Sequence, residues 1–387
     1  MTTPINGWND ARFDAVREAF ESNFSEREEV GAAVAIYLNG KPVVDLWGGW
    51  YAPDQEREWD RNTLVNVYSS TKGLLAFCTH RLVEEGKLDL DAPVAEYWPE
   101  FAAAGKESIP VRWLLCHKAG VAAISKPLVQ EDMYNWETMT TALAEQEPWW
   151  TPGEKHGYHA MTFGWLVGEV IRRVDGRSIG HYFREEFAAP LGLDVHIGTG
   201  PEFDARISTV IEPQIAAEFP PTSDLFGDPD SVGIVAVINP PVFNPGGPAV
   251  ASQRAWRAAE IPAANGHATA RGLARIYGGA ANGGQIDGIH LLNPETMAQG
   301  ITEQANGPDT CIGIDTRFGL GWALTGESTP YGPNPRAFGH PGAGGSLGYA
   351  DLDAGIGFGY TMNRMGTEVA HDIRAAALID ALYESLQ

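Results

Sequence analysis

Lysine runs out early in this sequence of 387 residues: all seven lysines lie at or before Lys155, and every later cation is arginine or histidine. Basic residues are sparse as a class, with 27 Lys and Arg against 50 Asp and Glu, a formal charge of −23. A surface that acidic repels phosphate backbones and anionic lipids, so no nucleic acid and no membrane surface is expected as a partner. Cysteine is nearly absent. Cys78, Cys116 and Cys311 are too few and too scattered for a disulfide framework, lack zinc-site spacing, and read as free thiols. No apolar run approaches the roughly 18 residues that suggest a spanning helix. The start, 1–7, has neither a basic nor an apolar leader region. A cytoplasmic protein is the expectation.

What is present is ordinary globular material. Hydrophobic residues make up 44% and charged residues 20%, which supports a sizeable core and excludes wholesale disorder. At about 150 residues per domain the length allows two or three units, or one large domain with an insertion. Phe13, Val16, Phe20 and Phe24 recur at steps of three and four, one apolar face of a helix. The β-type runs 32–38 and 42–47 flank Asn39-Gly40, a strong hairpin signal. Helical spacing then dominates, over 71–86, 111–117, 135–146 and 160–175.

Between about 196 and 265 the texture changes to Pro, Gly, Asn and Asp, as in Pro220-Pro221 and Asn244-Pro245-Gly246-Gly247-Pro248. A loop region that long usually shapes a site or a lid. Strand patterns return at 318–324, 346–352 and 355–362, before a closing helix near 368–385. Strands at both ends around a helical middle predict an α+β fold, with an antiparallel sheet assembled from the two ends beside a mainly helical lobe. A site is expected in the cleft between them.

Ser69-Ser70-Thr71-Lys72 opens a helix that continues Gly73-Leu74-Leu75-Ala76. Residues three apart share a helix face, so Ser69 Oγ and Lys72 Nζ can meet. The first turn also favours developing negative charge. A serine hydroxyl becomes a nucleophile when a neighbouring amine has its pKa pulled down from about 10.4. Tyr158, at a loop-to-helix junction, is the second candidate: beside a lysine ammonium its phenolate would be favoured and could take the serine proton. His156 and His159 form an H-x-x-H, but no nearby acid or cysteine completes a ligand set, so no metal is expected.

The third candidate is Phe338-Gly339-His340-Pro341-Gly342-Ala343-Gly344-Gly345-Ser346-Leu347-Gly348. Its glycines allow close approach of backbone to ligand, with N–H groups free for an oxyanion. Gly344–Gly348 also matches G-x-S-x-G, the nucleophile elbow of α/β-hydrolases. That elbow needs a following helix and then an acid and a histidine. Here Tyr349-Ala350-Asp351-Leu352 reads as strand, so Ser346 is the weaker nucleophile.

In order and spacing these segments resemble the serine β-lactamase and penicillin-binding-protein superfamily, and within it the class C-like carboxylesterases of family VIII. Val111–Gly120 is similar to the family's L-L-x-H-x-S-G element, with Ala119 where serine is common. Pro152-Gly153, Phe318-Gly319-Leu320-Gly321-Trp322 and Gly339-His340-Pro341-Gly342 are similar to later signatures. The resemblance implies one β-lactamase-related domain over 12–385. Its sheet lobe would be 1–68 with 310–387, flanked by N- and C-terminal helices, and its mainly helical lobe 69–309, with the loop-rich insertion 196–265.

It further implies Ser69 as acylated nucleophile, Lys72 as its partner, and Tyr158 as the tyrosine of Y-x-N and general base. His340 falls on the lysine of K-T-G. The amides of Ser69 and Ala343 would form the oxyanion hole, with Gly342 bordering the substrate; Trp322, like Trp149 and Trp150, could line an acyl or aryl pocket or pack in the core. Two departures bear on substrate. The Y-x-N asparagine is Ala160, and the K-T-G lysine is His340, near neutral at pH 7 if unperturbed. Neutral short-chain esters are therefore expected over penicillins, with no cofactor. Acyl transfer, or β-lactam, D-amino-acid amide or peptide hydrolysis at the same site, is the alternative; an inactive binding relative would be expected to lack one of Ser69, Lys72 and Tyr158.

Overall fold

The computed structural model describes residues 3–213, 231–244, 249–367 and 372–387. Asn39-Gly40 turns a hairpin between β2 (Gly31–Leu38) and β3 (Lys41–Gly49), and β1 (Ile5–Asn9) pairs with the outer side of β3. Two small sheets follow: β4 (Val65–Asn66), β5 (Val195–Ile197) and β6 (Gly266–Ala268) form one, and β7 (Gln285–Ile286) with β8 (Ile289–His290) the other. The remaining strands are β9 (Ala305–Pro308), β10 (Asp315–Phe318), β11 (Ala323–Leu324), β12 (Ala337–Pro341), β13 (Leu347–Asp351) and β14 (Ile356–Met362). They join the first three in a nine-stranded sheet of order β1-β3-β2-β14-β13-β12-β11-β10-β9, antiparallel throughout. Strands from both ends of the chain thus form one antiparallel sheet, the α+β arrangement expected.

The helices used below are α1 (Asp14–Glu26), α2 (Ser70–Glu84), α3 (Trp136–Glu145), α4 (Thr162–Asp175), α5 (Val232–Ile238), α6 (Ala270–Ala281) and α7 (Ile373–Glu384). Alternation along β2 explains the layers. Ala32, Val34 and Ile36 join Phe13, Val16 and Phe20 of the N-terminal helical segment and Leu378 and Leu382 of α7 in one core, while Ala35 and Tyr37 face a second, larger core with α2 and α6. Each large aliphatic or aromatic side chain so buried contributes about 1.5–3 kcal/mol. In β14, Ile356, Phe358 and Tyr360 point to the first core, and the intervening glycines let α6 lie directly on the strand. A Cβ on Gly357 would stand 2.1 Å from the amide nitrogen of Gly278, and one on Gly359 2.2 Å from the carbonyl oxygen of Ala270.

Several boundaries differ from the sequence reading. The single strand expected over 318–324 is two, because Phe318–Ala323 pair across a turn. The sheet already includes β9, ahead of residue 310. Helix α6 has no counterpart in the sequence reading, although Thr269 caps it by accepting the Gly272 N–H at 3.2 Å. Within the loop-rich stretch, α5 packs Val232 and Ala236 against Ala122, Ala123 and Trp150. Pro220-Pro221, 245–248 and the first residues of the helix expected from 368 lie outside the described residues. Among the described residues no helix is long and apolar enough to cross a membrane.

A buried charge network ties α7 to the sheet. The Arg374 guanidinium donates to both carboxylate oxygens of Asp372 (2.9 and 2.7 Å), to Glu29 Oε1 (3.2 Å), and to the carbonyls of Arg364 and Gly344 (both 2.8 Å). Burial pushes the Glu29 carboxyl up from its ordinary 4.5 to about 7, against the opposing pull of Arg374. The folded protein therefore holds that proton more tightly than the unfolded chain. The stabilisation, about 3 kcal/mol, is fully present below the unfolded pKa and lost as pH rises through 7. Thermal melting between pH 5 and 8 is expected to show a steeper loss of stability in the wild type than in Glu29→Gln; parallel curves would contradict this.

Candidate active site

Ser69 immediately precedes α2, whose residues Ser70 to His80 are all buried. A helix so enclosed is fixed by packing from every side. Tyr68, just before the serine, has φ +41°, unusual for a residue with a side chain. Thr71 holds that turn: its hydroxyl donates to the Tyr68 carbonyl at 2.5 Å and accepts the Gly266 N–H at 2.8 Å. The clamp leaves Ser69 partly exposed while its neighbours are covered.

Lys72 is buried, and its Nζ lies 3.0 Å from Ser69 Oγ, 2.7 Å from the Ala160 carbonyl and 3.0 Å from the Ala263 carbonyl. Among the described residues no carboxylate forms an ion pair with it, and burial drives its pKa well below the lysine range. Nζ donates to both carbonyls and to Ser69 Oγ, and burial disfavours its ammonium form. Tyr158 stands beside the pair. Lys72 Nζ is 4.8 Å from its ring centroid, and the Tyr158 hydroxyl faces Ser69. Its ring lies parallel to Phe318, centroids 6.1 Å apart, with His117 edge-on at 5.0 Å. Burial raises the tyrosine pKa, opposed by the Ser69 hydrogen bond. Burial thus works against the expected phenolate twice, disfavouring the charged phenol directly and disfavouring the lysine ammonium that would support it.

His340, on β12, is 2% exposed, its ring 6.0 Å from that of Tyr158. Burial, then the nearby Lys72, lowers its pKa to about 3, so it carries no charge at neutral pH. Its Nδ1–H donates to the Pro341 carbonyl at 2.8 Å. Gly342 lies so close to the nucleophile segment that a Cβ there would stand 2.2 Å from the Val67 carbonyl. Among the described residues the N–H groups of Ser69 and Ala343 have no protein acceptor, and both residues are partly exposed. Free, partly exposed N–H groups of this kind can serve a developing oxyanion.

Trp322, a candidate for the substrate border, lies in the core. It is fully buried, stacks on His80 at 4.9 Å, and donates from Nε1 to the Gly73 carbonyl at 3.1 Å. Ser346 is also enclosed, its hydroxyl donating to the Val67 carbonyl at 2.8 Å and 3.3 Å from Ser70 Oγ. It is followed by a strand, not by a helix. His156 and His159 diverge: the former meets Thr316 Oγ1 at 2.9 Å, the latter the Gly157 carbonyl at 2.7 Å and the Val121 N–H at 3.2 Å. Among the described residues no His, Cys, Asp and Glu cluster could hold a metal.

Sequence reasoning missed Thr71 and Asp309, whose partners are mainly backbone groups and leave no side-chain pattern. It also missed the Ala160 and Ala263 carbonyls, which depend on chain path alone.

The sequence matches the family described as Beta-lactamase over residues 16–383. It is 39% identical over 368 residues to the esterase/beta-lactamase LipL of Mycobacterium tuberculosis, covering 93% of this chain and 83% of that protein. A crystal structure of a family VIII carboxylesterase is similar with TM-score 0.90 and 39% identity, over 99% of this chain and 100% of the other. A penicillin-binding protein homologue from Caulobacter crescentus gives 0.91 and 37%, again over 99% and 100%.

Proposed function

Since the chain belongs to the Beta-lactamase family, we propose that this serine hydrolase is a carboxylesterase cleaving neutral, short-chain acyl esters through an acyl-enzyme on Ser69. The observation that carries the reading is the buried Lys72 amine, 3.0 Å from Ser69 Oγ and without a carboxylate partner among the described residues. The similarity to LipL and to a family VIII carboxylesterase supports the same class.

As Ser69 Oγ bonds to the ester carbon, its proton passes to Lys72 Nζ, the stronger base of the neutral amine and phenol pair. The N–H groups of Ser69 and Ala343 hold the oxyanion. Collapse breaks the bond to the alcohol oxygen. Tyr158 gives that oxygen its proton and regains one from Lys72. Water then attacks the acyl carbon, its proton travelling back through Tyr158 and Lys72 to Ser69 Oγ as the acid leaves. Activity therefore needs neutral Lys72 and is lost as pH falls through that group's pKa.

Neutral His340 offers no cation for a substrate carboxylate, and Ala160 no side-chain amide for an acylamino group; both favour simple esters. The site lies between the sheet lobe and the helical lobe of what we read as a single catalytic domain. The free thiols of Cys78, Cys116 and Cys311 fit a cytoplasmic setting.

Rapid quenching during turnover of p-nitrophenyl butyrate, followed by peptide mass spectrometry, is expected to find the butyryl group on the peptide containing Ser69. Ester turnover should exceed that of a chromogenic cephalosporin. An adduct on the Ser346 peptide would overturn the site, and faster cephalosporin turnover would move the substrate class to β-lactams.

A further inference from the structure

Resting on the serine-esterase reading, we propose that Asp309 is a positioning residue for Tyr158, at the end of a hydrogen-bond chain that starts on His156. Asp309 follows β9 and is 3% exposed. Both of its carboxylate oxygens accept the Tyr158 N–H, each at 3.0 Å. Oδ1 also accepts the N–H groups of Cys311 (2.8 Å) and Ile312 (3.1 Å), and Oδ2 accepts the Thr316 hydroxyl at 3.1 Å. Among the described residues no lysine or arginine pairs with it.

The chain has a fixed direction. A carboxylate has no proton to give, so the one hydroxyl proton of Thr316 goes to Asp309. Thr316 Oγ1 must then accept from His156, 2.9 Å away, which places the imidazole proton on Nε2. The order is His156 Nε2–H to Thr316 Oγ1–H to Asp309 Oδ2, which in turn receives the Tyr158 N–H.

Two grips on Tyr158 thus come from one hairpin, β9 to β10. Asp309 holds the backbone and Phe318 the ring, and Thr316 and Phe318 share a face of β10. The neighbouring segment is docked as closely. Thr310 N–H donates to the His156 carbonyl at 3.1 Å, and a Cβ on Gly157 would meet Cys311 Sγ at 2.8 Å. Asparagine at 309 would keep the shape but turn an NH2 group either toward the Tyr158 N–H or toward Thr316, whose hydroxyl would then have to reverse and donate to His156. The amide of Tyr158 would lose one acceptor, and its hydroxyl would wander from Ser69.

The charge adds a signature beyond packing. Tyr158 faces Lys72, His117, His340 and Asp309, and Asp309 itself faces His156 and Cys311, with Lys118 and Asp315 further out around His156. The carboxylate disfavours the phenolate, so its removal makes Tyr158 easier to ionise.

Steady-state kinetics on p-nitrophenyl butyrate over the stable pH range test this in Asp309→Asn, Thr316→Val, Ser69→Ala and wild type. For Asp309→Asn we expect kcat to fall roughly 30- to 100-fold with KM within about threefold, because positioning acts on the reacting atoms. Thr316→Val, which removes the link to His156 but keeps the carboxylate, should lose about three- to tenfold in kcat at unchanged KM. An Asp309→Asn enzyme with wild-type kcat overturns the proposal. If that variant does not fold, an unaltered kcat in Thr316→Val overturns it instead. Ester turnover persisting in Ser69→Ala would defeat the esterase-site reading itself, whereas an inactive Ser69→Ala beside an unimpaired Asp309→Asn defeats only the positioning role.

Discussion

Ser69→Ala is expected to lose about 10⁶-fold in kcat on p-nitrophenyl butyrate, the scale seen when a serine nucleophile is removed from a cooperating set. Ser346→Ala is the informative companion. The G-x-S-x-G around Ser346 invites the opposite assignment, yet its hydroxyl is enclosed and already committed to the Val67 carbonyl. Losing that bond costs roughly 1–3 kcal/mol of stability, and kcat should stay within about tenfold of wild type. Ester turnover that survived Ser69→Ala and vanished in Ser346→Ala would reverse the assignment of nucleophile.

The second large effect concerns Lys72. Lys72→Met keeps the unbranched stem in a fully enclosed site and removes only the amine. With no base left 3.0 Å from Ser69 Oγ, acylation should slow by about 10⁴-fold, the upper range for a general base. The single-turnover burst of p-nitrophenol should disappear with it. The Ala160 and Ala263 carbonyls lose a donor, so a drop in melting temperature is expected too, but near-UV circular dichroism should stay native. Tyr158→Phe retains the ring between Phe318 and His117 and loses the hydroxyl. Its deficit should fall on both acylation and deacylation, since the phenol handles the proton of the leaving alcohol and that of the incoming water. A Lys72→Met enzyme within tenfold of wild type would leave Tyr158 as sole base and refute the neutral-amine mechanism.

Much of this arrangement is legible in the sequence because it is periodic or local. Ser69 and Lys72 are one helical turn apart, so their meeting follows from the pitch. The alternating cores of β2 and β14, and the hairpin at Asn39-Gly40, follow from pleat and turn chemistry. Trp322 marks the limit of that reasoning: an aromatic among glycines suits either a pocket wall or a core, and only packing on His80 and Phe77 distinguishes them. The turn inside 318–324 escaped because Gly319 and Gly321 interrupt a run that otherwise reads as one strand. Thr71 and Asp309 escaped for another reason: they bind backbone groups brought near by distant parts of the chain. His340 could be placed by its motif, but its loss of charge depends on how deeply β12 is covered.

One pairing in the sheet also governs when this enzyme can come into being. The central strands β2 and β14 lie side by side with Leu38 opposite Ile356, and β1 and β3 depend on β2 for attachment. Contacts so remote in sequence make folding slow, and during synthesis the edge of β2 that meets β14 must wait until residues 356–362 have left the ribosome. The carbonyl of Gly344, next to the proposed oxyanion donor Ala343, is held by Arg374, which is translated later still. A chain truncated before Arg374 is therefore expected to contain Ser69, Lys72 and Tyr158 and yet leave the Gly344 carbonyl unheld.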